Sequence, residues 1–261
     1  MLRSLWIAKT GMDAQQMNLD TIANNLANSS TTAFKKVQPL FQDLLYTTMR
    51  SAGAASNAQN LLPTGLQVGA GSAITSTERI NTQGTLFKTD NQLDVAINGN
   101  GFFQVALADG TNAYTRNGQF NRSSTGQIVT ASGNVVSPGL TIPLSAVNVT
   151  ISTTGQVQAA DQAGNLTPVG QLSMANFINP AGLIAIGGGN YTPSPASGNA
   201  TNGLPGLNGM GTINQYYIEQ SNVNVAEELV NLIAAQRAYE INTRAVTASD
   251  QILQRVSNLG N

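Results

Sequence analysis

The two ends of this chain carry apolar residues at helical spacing, and this pattern constrains the possible fold more than any other feature of the sequence. In the N-terminal segment, intervals of three and four residues alternate as in a coiled-coil seam, with one interruption at Gln15. The Asn, Ser and Thr residues at 28–32 compete for backbone hydrogen bonds and should end the helix, so we predict a helix of about 25 residues. The apolar positions of its seam are Leu5, Ala8, Met12, Leu19, Ile22 and Leu26.

The C-terminal segment begins with a signal for the start of a helix. Asn224 is followed three residues later by Glu227 and then by Glu228, which places negative charge where the helix dipole is positive. The helical pattern then continues for about 35 residues and forms two stripes. The first stripe is Val225, Leu229, Leu232, Gln236, Tyr239, Thr243, Val246 and Leu253, and the second is Val230, Ile233, Ala238, Ile241, Ala245, Ala248 and Ile252.

Two apolar stripes on one helix require two sets of neighbours. A single antiparallel pair of helices beside a β domain, which is the simpler interpretation, buries one stripe on each helix. Because helices gain most of their stability from tertiary packing, the surplus stripe indicates contact with other copies of the chain. The predicted assembly interface consists of Leu5, Ala8, Met12, Leu19, Ile22, Leu26, Val225, Leu229, Leu232, Ile233, Tyr239, Ile241, Val246, Ile252 and Leu253.

The sequence divides into four segments. Residues 1–45 contain the N-terminal assembly helix, and residues 216–261 contain the C-terminal helix that should pair with it. Residues 46–64 have no period and are rich in Ser, Ala, Asn and Gln, which is typical of an extended connector. Residues 65–215 should form a β-rich central domain. The predicted fold class is α+β, with long terminal helices in a coiled-coil-like assembly domain and a mostly antiparallel β central domain.

Strand-like runs separated by turn pairs support the β-rich domain. Asp109-Gly110 and Asn117-Gly118 lie between such runs and are strong signals for hairpins. Residues 182–211 are rich in Gly, Pro, Asn and Ser and are expected to form loops. The predicted core residues are Phe102, Phe103, Val105, Leu107, Tyr114, Phe120, Ile128 and Val149.

Composition excludes several classes of function. Charged residues make up 10% of the chain, against about 25% in ordinary soluble domains, and the central region has no basic face for nucleic acid. The chain has no Cys and no His, which excludes disulfides, thiol nucleophiles, the usual zinc sites and His-based acid/base catalysis. We predict no catalytic residue, no cofactor site and no metal site.

Two alternatives come from other classes of function. Carboxylates such as Glu78, Asp90 and Asp94 could form the pair of a glycosidase that acts on cell-wall glycan. Asp90 and Asp94, however, lie in a turn-rich stretch where Asp commonly bonds its own backbone. A secreted β-rich binding protein is the second alternative, but the apolar stripes of the terminal helices would have no purpose in it.

The sequence contains neither a membrane-spanning run nor a conventional signal peptide. No apolar run reaches the length of about 18 residues that a spanning helix needs. Residues 5–8 are too short for the apolar region of a signal peptide, and the charged residues Lys9, Asp13 and Asp20 interrupt the segment after them. Composition alone would therefore indicate a cytoplasmic protein.

The terminal segments resemble those of a known family. Residues 23–36, with the sequence Ala-Asn-Asn-Leu-Ala-Asn-Ser-Ser-Thr-Thr-Ala-Phe-Lys-Lys, are similar to the N-terminal signature of the bacterial flagellar rod and hook proteins. Residues 222–254 are similar to their C-terminal signature, and residues 96–105 and 114–120 to a hairpin that they share. Ala33 stands where the family usually has Gly; if this position needs a positive φ, Ala is strained there by about 1 kcal/mol or more.

The resemblance implies a structural subunit of the flagellar basal body that self-assembles into a hollow tube, the distal rod, and transmits torque from motor to hook. Implied partners are other copies of the chain, proximal rod and hook proteins, the surrounding P- and L-ring proteins and the flagellar export apparatus. The implied location runs from the periplasm toward the outer membrane, after type III export without a cleaved signal peptide. A proximal rod or hook protein is the alternative within the family, although residues 46–63 argue against the hook.

Overall fold

The computed structural model describes residues 2–53, 55–57, 60–61 and 63–259, and it confirms an α+β fold. The chain forms two compact units. One, which we call the helix–hairpin unit, comprises Met1–Ala27, Val37–Arg79 and Asn224–Asn261; the other, the β unit, comprises Asn28–Lys36 and Ile80–Val223. This grouping differs from the sequence division because residues 65–79 belong with the terminal helices, whereas residues 28–36 and 216–223 belong with the β unit. The boundaries proposed from sequence, taken as those of independently folding domains, stay a prediction.

Two long helices form the helix–hairpin unit together with one extended hairpin. Helix α1 spans Leu2–Ala27 and α2 spans Val225–Leu259, so both predicted helices and their lengths are confirmed. Asn224 caps α2, because its Oδ1 accepts the backbone N–H of Ala226 at 3.1 Å. Neither described helix is long and apolar enough to cross a lipid bilayer.

The helices run antiparallel. Ser4 Oγ lies 3.5 Å from Ser249 Oγ near one end of the pair, and Met12 Sδ accepts a bond from Thr243 Oγ1 at 3.6 Å further along. At the other end, Asn25 donates a hydrogen bond to Glu228. Residue numbers thus rise along α1 while those of the contacting residues fall along α2, as the predicted pairing of the two terminal helices requires.

The segment between α1 and the β unit forms what we call the long hairpin. Its strands are β1 (Val37–Asp43), β2 (Tyr46–Arg50), β3 (Ala55–Asn57), β4 (Asn60–Leu61), β5 (Leu66–Gly69) and β6 (Ser72–Arg79). They pair antiparallel as β1 with β6, β2 with β5 and β3 with β4, so the ladder extends from the Val37–Arg79 pair to the Asn57–Asn60 pair. Residues 46–64, expected to be an extended connector, therefore include the paired strands of its outer half.

The inner half of the long hairpin lies along α1. Helix α1 packs against β1 and β6, and a Cβ atom built on Gly71 would lie 2.0 Å from Thr10 Oγ1. Gly71 also has a φ of +112°, a region that glycine tolerates far better than other residues. Only glycine allows the backbone to approach the helix this closely at that φ.

The β unit contains one large sheet and several small ones. Its strands are β7 (Leu86–Lys88), β8 (Val95–Asn98), β9 (Phe102–Ala106), β10 (Asn112–Thr115), β11 (Phe120–Arg122), β12 (Ile128–Thr130), β13 (Val135–Val136), β14 (Asn148–Ile151), β15 (Gln156–Ala160), β16 (Leu166–Gln171), β17 (Met174–Asn176), β18 (Ile184–Gly187), β19 (Asn190–Thr192), β20 (Thr201–Gly203), β21 (Thr212–Gln215) and β22 (Tyr217–Glu219). The large sheet has the order β11-β12-β13-β9-β10-β19-β18, with β17 pairing to β9 and β20. Strands β14–β16 form a second sheet, β21 pairs with β8, and β22 pairs with β7, and the strands of these smaller sheets run antiparallel.

Apolar residues from these strands form two buried clusters. The larger includes Phe103, Val105, Phe120, Ile128 and Val149, and Leu107 packs against it half-buried. In the smaller cluster, Phe102 and Tyr114 contact Phe177 edge to face, with ring centroids 5.8 and 4.9 Å apart. The predicted core residues are confirmed.

One of the two predicted hairpin turns is confirmed and one is wrong. Asp109-Gly110 connects the paired strands β9 and β10. Asn117-Gly118 joins β10 to β11, which do not pair with each other. Gly118 instead allows a close backbone approach, because a Cβ atom there would lie 1.7 Å from the carbonyl oxygen of Val95. A dipeptide of this kind indicates that the chain changes direction, but it does not specify which strands pair with each other.

The prediction that residues 182–211 form only loops is also wrong. Strands β18, β19 and β20 lie in this range, where β19 pairs with β10 and β20 with β17. Strand β18 is the apolar run Ile184–Gly187 and pairs with the neighbouring β19. Strands β19 and β20 are held by backbone hydrogen bonds to distant strands, and their short sequences have no apolar alternation that would reveal them.

Candidate assembly surface

The predicted interface residues fall into two groups in the helix–hairpin unit. Those of the first group are buried or half-buried between the elements of that unit. Ala8 and Ile22 on α1 are buried, each with about one-twentieth of its surface exposed. The other members, all half-buried, are Leu5, Met12, Leu19 and Leu26 on α1 and Leu232, Val246 and Leu253 on α2.

The second group is exposed on α2. Its members Val225, Leu229, Ile233, Tyr239, Ile241 and Ile252 include side chains that are more than half accessible to solvent, such as Ile241 at 66% and Ile252 at 51%. Val230, Ile241 and Ile252 repeat every eleven residues, which is close to three helical turns, so they share one side of the helix. Val225, Leu229 and Tyr239 belong to the first predicted stripe, so the contacts with α1 leave the second stripe and part of the first uncovered.

The long hairpin carries further exposed apolar side chains, which the sequence analysis did not include in the interface. They are Leu40, Phe41, Leu45, Tyr46, Met49 and Leu66, and Leu45 is 89% exposed. The signal was present in the sequence, because residues 40–46 contain five apolar residues in seven. Their exposure does not follow from the sequence, because it depends on how the strands of the long hairpin pair and on which of them α1 covers.

A buried polar cluster joins α1, β1 and α2 within the helix–hairpin unit. Asn25 Oδ1 accepts the backbone N–H of Val37 at 3.0 Å, and Asn25 Nδ2 donates to the Val37 carbonyl at 2.8 Å. The same Nδ2 lies 3.3 Å from Glu228 Oε2, and both side chains are 1% exposed. Sequence reasoning assigned Glu228 to the helix dipole and gave Asn25 no role.

A second buried cluster lies in the β unit and consists of three charged side chains. Glu219 Oε1 accepts hydrogen bonds from Lys35 Nζ at 2.5 Å and from the backbone N–H of Gly84 at 2.9 Å, while its Oε2 accepts from Arg116 Nε at 2.8 Å. Arg116 also donates to the carbonyls of Gly99 and Gly101, each at 2.9 Å. This charged triad ties the strand β22 to the segment before β1 and to the connection between β8 and β9.

Burial and mutual charge shift the pKa values of the triad. Burial lowers the pKa of Lys35, an effect that Glu219 offsets only in part and to which Arg116 adds. Burial alone would raise the pKa of Glu219, but the charges of Arg116 and Lys35 outweigh it and hold the pKa of this carboxyl below its usual value. The ionised form of Glu219 is therefore favoured in the folded β unit.

Asn222 forms a third polar centre, also within the β unit. Its Oδ1 accepts the backbone N–H of Lys36 at 2.7 Å, and its Nδ2 donates to the carbonyl of Ile80 at 2.8 Å. Nearby, Ala33 has a φ of 58°, so the condition under which Ala would be strained at this position is met. Asn25, Lys35 and Asn222 all lie in the terminal signature segments, whose polar residues thus have structural contacts that the apolar pattern did not predict.

The carboxylates considered for catalysis have ordinary structural surroundings. Asp94 is buried and accepts a hydrogen bond from Asn91 Nδ2 at 2.9 Å, as expected for a residue that organises a turn. Glu78 lies on β6 in the long hairpin and is exposed. Among the residues that the structure describes, no group of three or more acidic, His or Cys side chains could hold a metal ion.

Three family models match this chain. "Flagella basal body rod protein" matches residues 5–35, "Flagellar hook protein FlgE/F/G D1 domain" matches residues 96–159, and "Flagellar basal body rod FlgEFG protein C-terminal" matches residues 214–259. These ranges contain most of α1, much of the β unit and all of α2. The matched segments therefore include all of the interface residues predicted from sequence.

Whole proteins also match over their full length. Flagellar basal-body rod protein FlgG of Buchnera aphidicola from Acyrthosiphon pisum is 52% identical to this chain, over 99% of the chain and 100% of that protein. The protein of the same name from Borreliella burgdorferi is 45% identical and that from Bacillus subtilis 36% identical, each over 99% of both sequences. The similarity extends through both units of the structure.

Proposed function

Because this chain belongs to the family of flagellar basal-body rod proteins, we propose that it is a structural subunit of the distal rod, a hollow tubular drive shaft that copies of the chain build by self-assembly. The tube transmits torque from the motor to the hook. In this role the protein needs no catalytic residue, and its function depends on surfaces that bind other copies.

The observation that carries this proposal is the uncovered second stripe of α2. This side of the helix exposes Val230, Ile241 and Ile252 to water. Burying it against another surface would be favourable by about 25 cal/mol per Å² of apolar area. Because α1 already packs on the opposite side of α2, we infer that another copy covers this stripe. Paired helices of successive copies would then form the inner wall of the tube in a coiled-coil-like arrangement.

The low charge of the chain supports dense packing of identical subunits. The formal net charge of the whole chain is −1, so copies placed side by side repel one another only weakly. The β units would form the outer layer, and the exposed apolar residues of the long hairpin would contact neighbouring copies. Proximal rod and hook proteins at the two ends, and the P- and L-ring proteins around the shaft, are the expected further partners.

The proposed location is the part of the basal body that runs through the periplasm toward the outer membrane. The chain would reach it through the flagellar export apparatus without cleavage of an N-terminal signal. Mass spectrometry of protein recovered from basal bodies tests this point. Peptides that begin at Met1 or Leu2 are expected, and loss of about 20 N-terminal residues would contradict export without cleavage.

Electron microscopy of the purified full chain at high concentration tests the assembly itself. Straight hollow tubes of constant diameter are expected. Monomers that persist at all concentrations, or amorphous aggregates without a repeat, would contradict self-assembly. An assay for glycan hydrolysis on the same preparation separates the structural role from that of a cell-wall enzyme, because the rod subunit should release no sugar.

A further inference from the structure

Asn25 holds the first residue of the long hairpin by both of its backbone polar groups. Val37 pairs with Arg79 in the β1–β6 ladder, yet its N–H and carbonyl are bound by the amide of Asn25 at 3.0 and 2.8 Å. The side chain therefore takes the place that a neighbouring strand would occupy at the free edge of β1. Few side chains can do this, because the interaction needs one acceptor and one donor at the spacing of a peptide group.

The same amide connects this edge to the beginning of α2. Asn25 Nδ2 also reaches Glu228 Oε2 at 3.3 Å, and Glu228 is the fourth residue of α2. Asn25 itself lies in the last turn of α1. A single buried side chain thus contacts the end of α1, the start of the hairpin and the start of α2.

The chemistry of this site distinguishes Asn from similar residues. Asp could accept from the Val37 N–H but could not donate to its carbonyl, and its charge would face the carboxylate of Glu228. Ala would leave both backbone groups of Val37 without their partner in a buried place, which destabilises the arrangement. The role therefore depends on the amide and not on the size of the side chain alone.

We propose that Asn25 is a positioning residue that fixes the direction of the long hairpin relative to the α1–α2 pair. Packing of apolar side chains alone is non-directional, whereas the hydrogen bonds to Val37 and Glu228 define one orientation. A long hairpin held in one direction would contact neighbouring copies at a constant angle, which would favour straight rods. This consequence for rods rests on the proposed function. The positioning itself is a property of the single subunit and can be measured there.

Spin labels provide the test, because the chain has no Cys and accepts labels at chosen sites only. One labelled pair, Met17→Cys with Gln42→Cys, reports the distance from α1 to the hairpin, and a second, Met17→Cys with Gln236→Cys, reports the distance between the helices. These three residues are exposed. In the full chain at low temperature, Asn25→Ala should broaden the first distance distribution and leave the second narrow. Exchange of the Val37 amide hydrogen should become about tenfold faster, as expected for one lost hydrogen bond.

Two further variants make the test specific. Asn24→Ala changes the exposed neighbour of Asn25 in the same sequence and should leave both distributions unchanged. Asn25→Asp should broaden the first distribution, and adding Glu228→Gln should narrow it in part, because the glutamine amide can donate to the new carboxylate while the Val37 carbonyl still lacks its donor. Rescue of this kind separates positioning from a general loss of stability.

The outcomes that overturn the inference are distinct from failure of the proposed function. Identical hairpin distances in the wild type and Asn25→Ala would overturn it, as would equal broadening of both labelled pairs, which would indicate general unfolding. In concentrated samples, Asn25→Ala should give curved or irregular polymers, or none, under conditions where the wild type gives straight rods. If the wild type itself forms no rods, the proposed function fails while the label distances still decide the role of Asn25.

Discussion

The two units of this protein bury apolar surface in different ways. Both buried apolar clusters found among the described residues lie in the β unit, where side chains such as Phe103 and Ile213 are completely covered. In the helix–hairpin unit, the buried apolar side chains of the helices are mostly small, namely Ala8, Ala14, Ile22 and Ala235. Most of the larger apolar residues of α2 and of the long hairpin are half-buried or exposed.

Burial can indicate the function of a protein that works through its surfaces. The β unit has two buried apolar clusters of its own, although side chains such as Leu144 and Ile178 remain exposed on it. The helix–hairpin unit has little core of its own, and the surface it leaves open is the surface that copies of the chain would cover. Substitutions in the two units should therefore have different effects, from loss of assembly to a small gain in stability.

The largest effect is expected from a charge placed on the second stripe of α2. Ile241→Asp should abolish tube formation, because a carboxylate buried between copies would have no partner. The melting temperature of the isolated subunit should change little, since the side chain is exposed there. Electron microscopy and calorimetry of the same sample measure the two properties.

Thr247→Asp is the matched control for this variant. It adds the same charge to the same helix about 120° away around its axis, at an exposed position outside the second stripe. Tubes should still form. If Ile241→Asp also gives normal tubes, the exposed surface of α2 is not the assembly surface. The difference in burial between the two units would then not indicate which surface binds other copies.

The next effect concerns the charged triad of the β unit. Glu219→Gln leaves Lys35 and Arg116 buried without a counter-charge, and loss of one partner of a buried ion pair costs about 3–5 kcal/mol. The thermal transition of the β unit should fall accordingly. Lys35→Met should cost less, because Glu219 keeps its bond to Arg116 and the triad loses its excess positive charge. The reverse order would show that the triad does not depend on the carboxylate.

The triad also predicts an acid dependence. The folded-state pKa of Glu219 lies below its usual value, so its ionised form stabilises the fold above that usual value and the contribution is lost as the pH falls through the folded-state pKa. Melting curves between pH 7 and pH 3 should show the β unit losing stability on acidification. The loss should be less steep in Glu219→Gln, and equal slopes would contradict this assignment.

A smaller effect is expected where the long hairpin approaches α1. Gly71→Ala should destabilise the helix–hairpin unit by about 1–3 kcal/mol, because the new methyl group would overlap Thr10 Oγ1 and φ is +112°. Adding Thr10→Ala should recover part of this loss. Gly53→Ala, which has a φ of +79° with no atom within 4 Å of the new Cβ, measures the backbone contribution alone. Equal losses in Gly71→Ala and Gly53→Ala would show that the contact with α1 is not tight.

The smallest effect is a gain in stability. Ala33→Gly should stabilise the β unit by about 0.5–1 kcal/mol, because φ is 58° at this position and a residue without Cβ removes the strain. The gain is limited because the methyl group of Ala33 is buried and its packing is lost. Denaturant unfolding measures the difference, and a loss of stability would show that packing outweighs strain here.

The sequence predicted the elements whose signal is periodic or carried by a local motif. The two helices, the cap at Asn224 and the Phe103 and Phe120 core follow from spacing and side-chain type. Strands β19 and β20 could not be predicted in this way, because their pairing is set by the backbone of distant strands. The outer half of the long hairpin was recognised as extended, but its partner strand is not encoded in any local pattern.

In the candidate site, too, the periodic apolar residues were predictable from the sequence and the buried polar contacts were not. The second stripe of α2 was predicted because a helix repeats in a known period, and its exposure agrees with the surplus seen in the sequence. The roles of Asn25 and Glu219 were not predicted, because the sequence does not indicate whether a polar residue is buried or which atoms it contacts. The family signature marked the segments in which these residues lie, and only the structure assigns their contacts.

The hydrogen bonds of Asn222 have a consequence for the order in which the molecule folds. Helices α1 and α2 are separated by the whole of residues 28–224, and closing so long a loop in an unfolded chain is entropically costly and slow. Within the β unit, Asn222 holds Lys36 and Ile80 at hydrogen-bond distance, so folding of this unit closes most of that loop beforehand. We therefore expect the helices to pair last, and a chain whose β unit is still unfolded cannot present the paired helices that polymerisation requires.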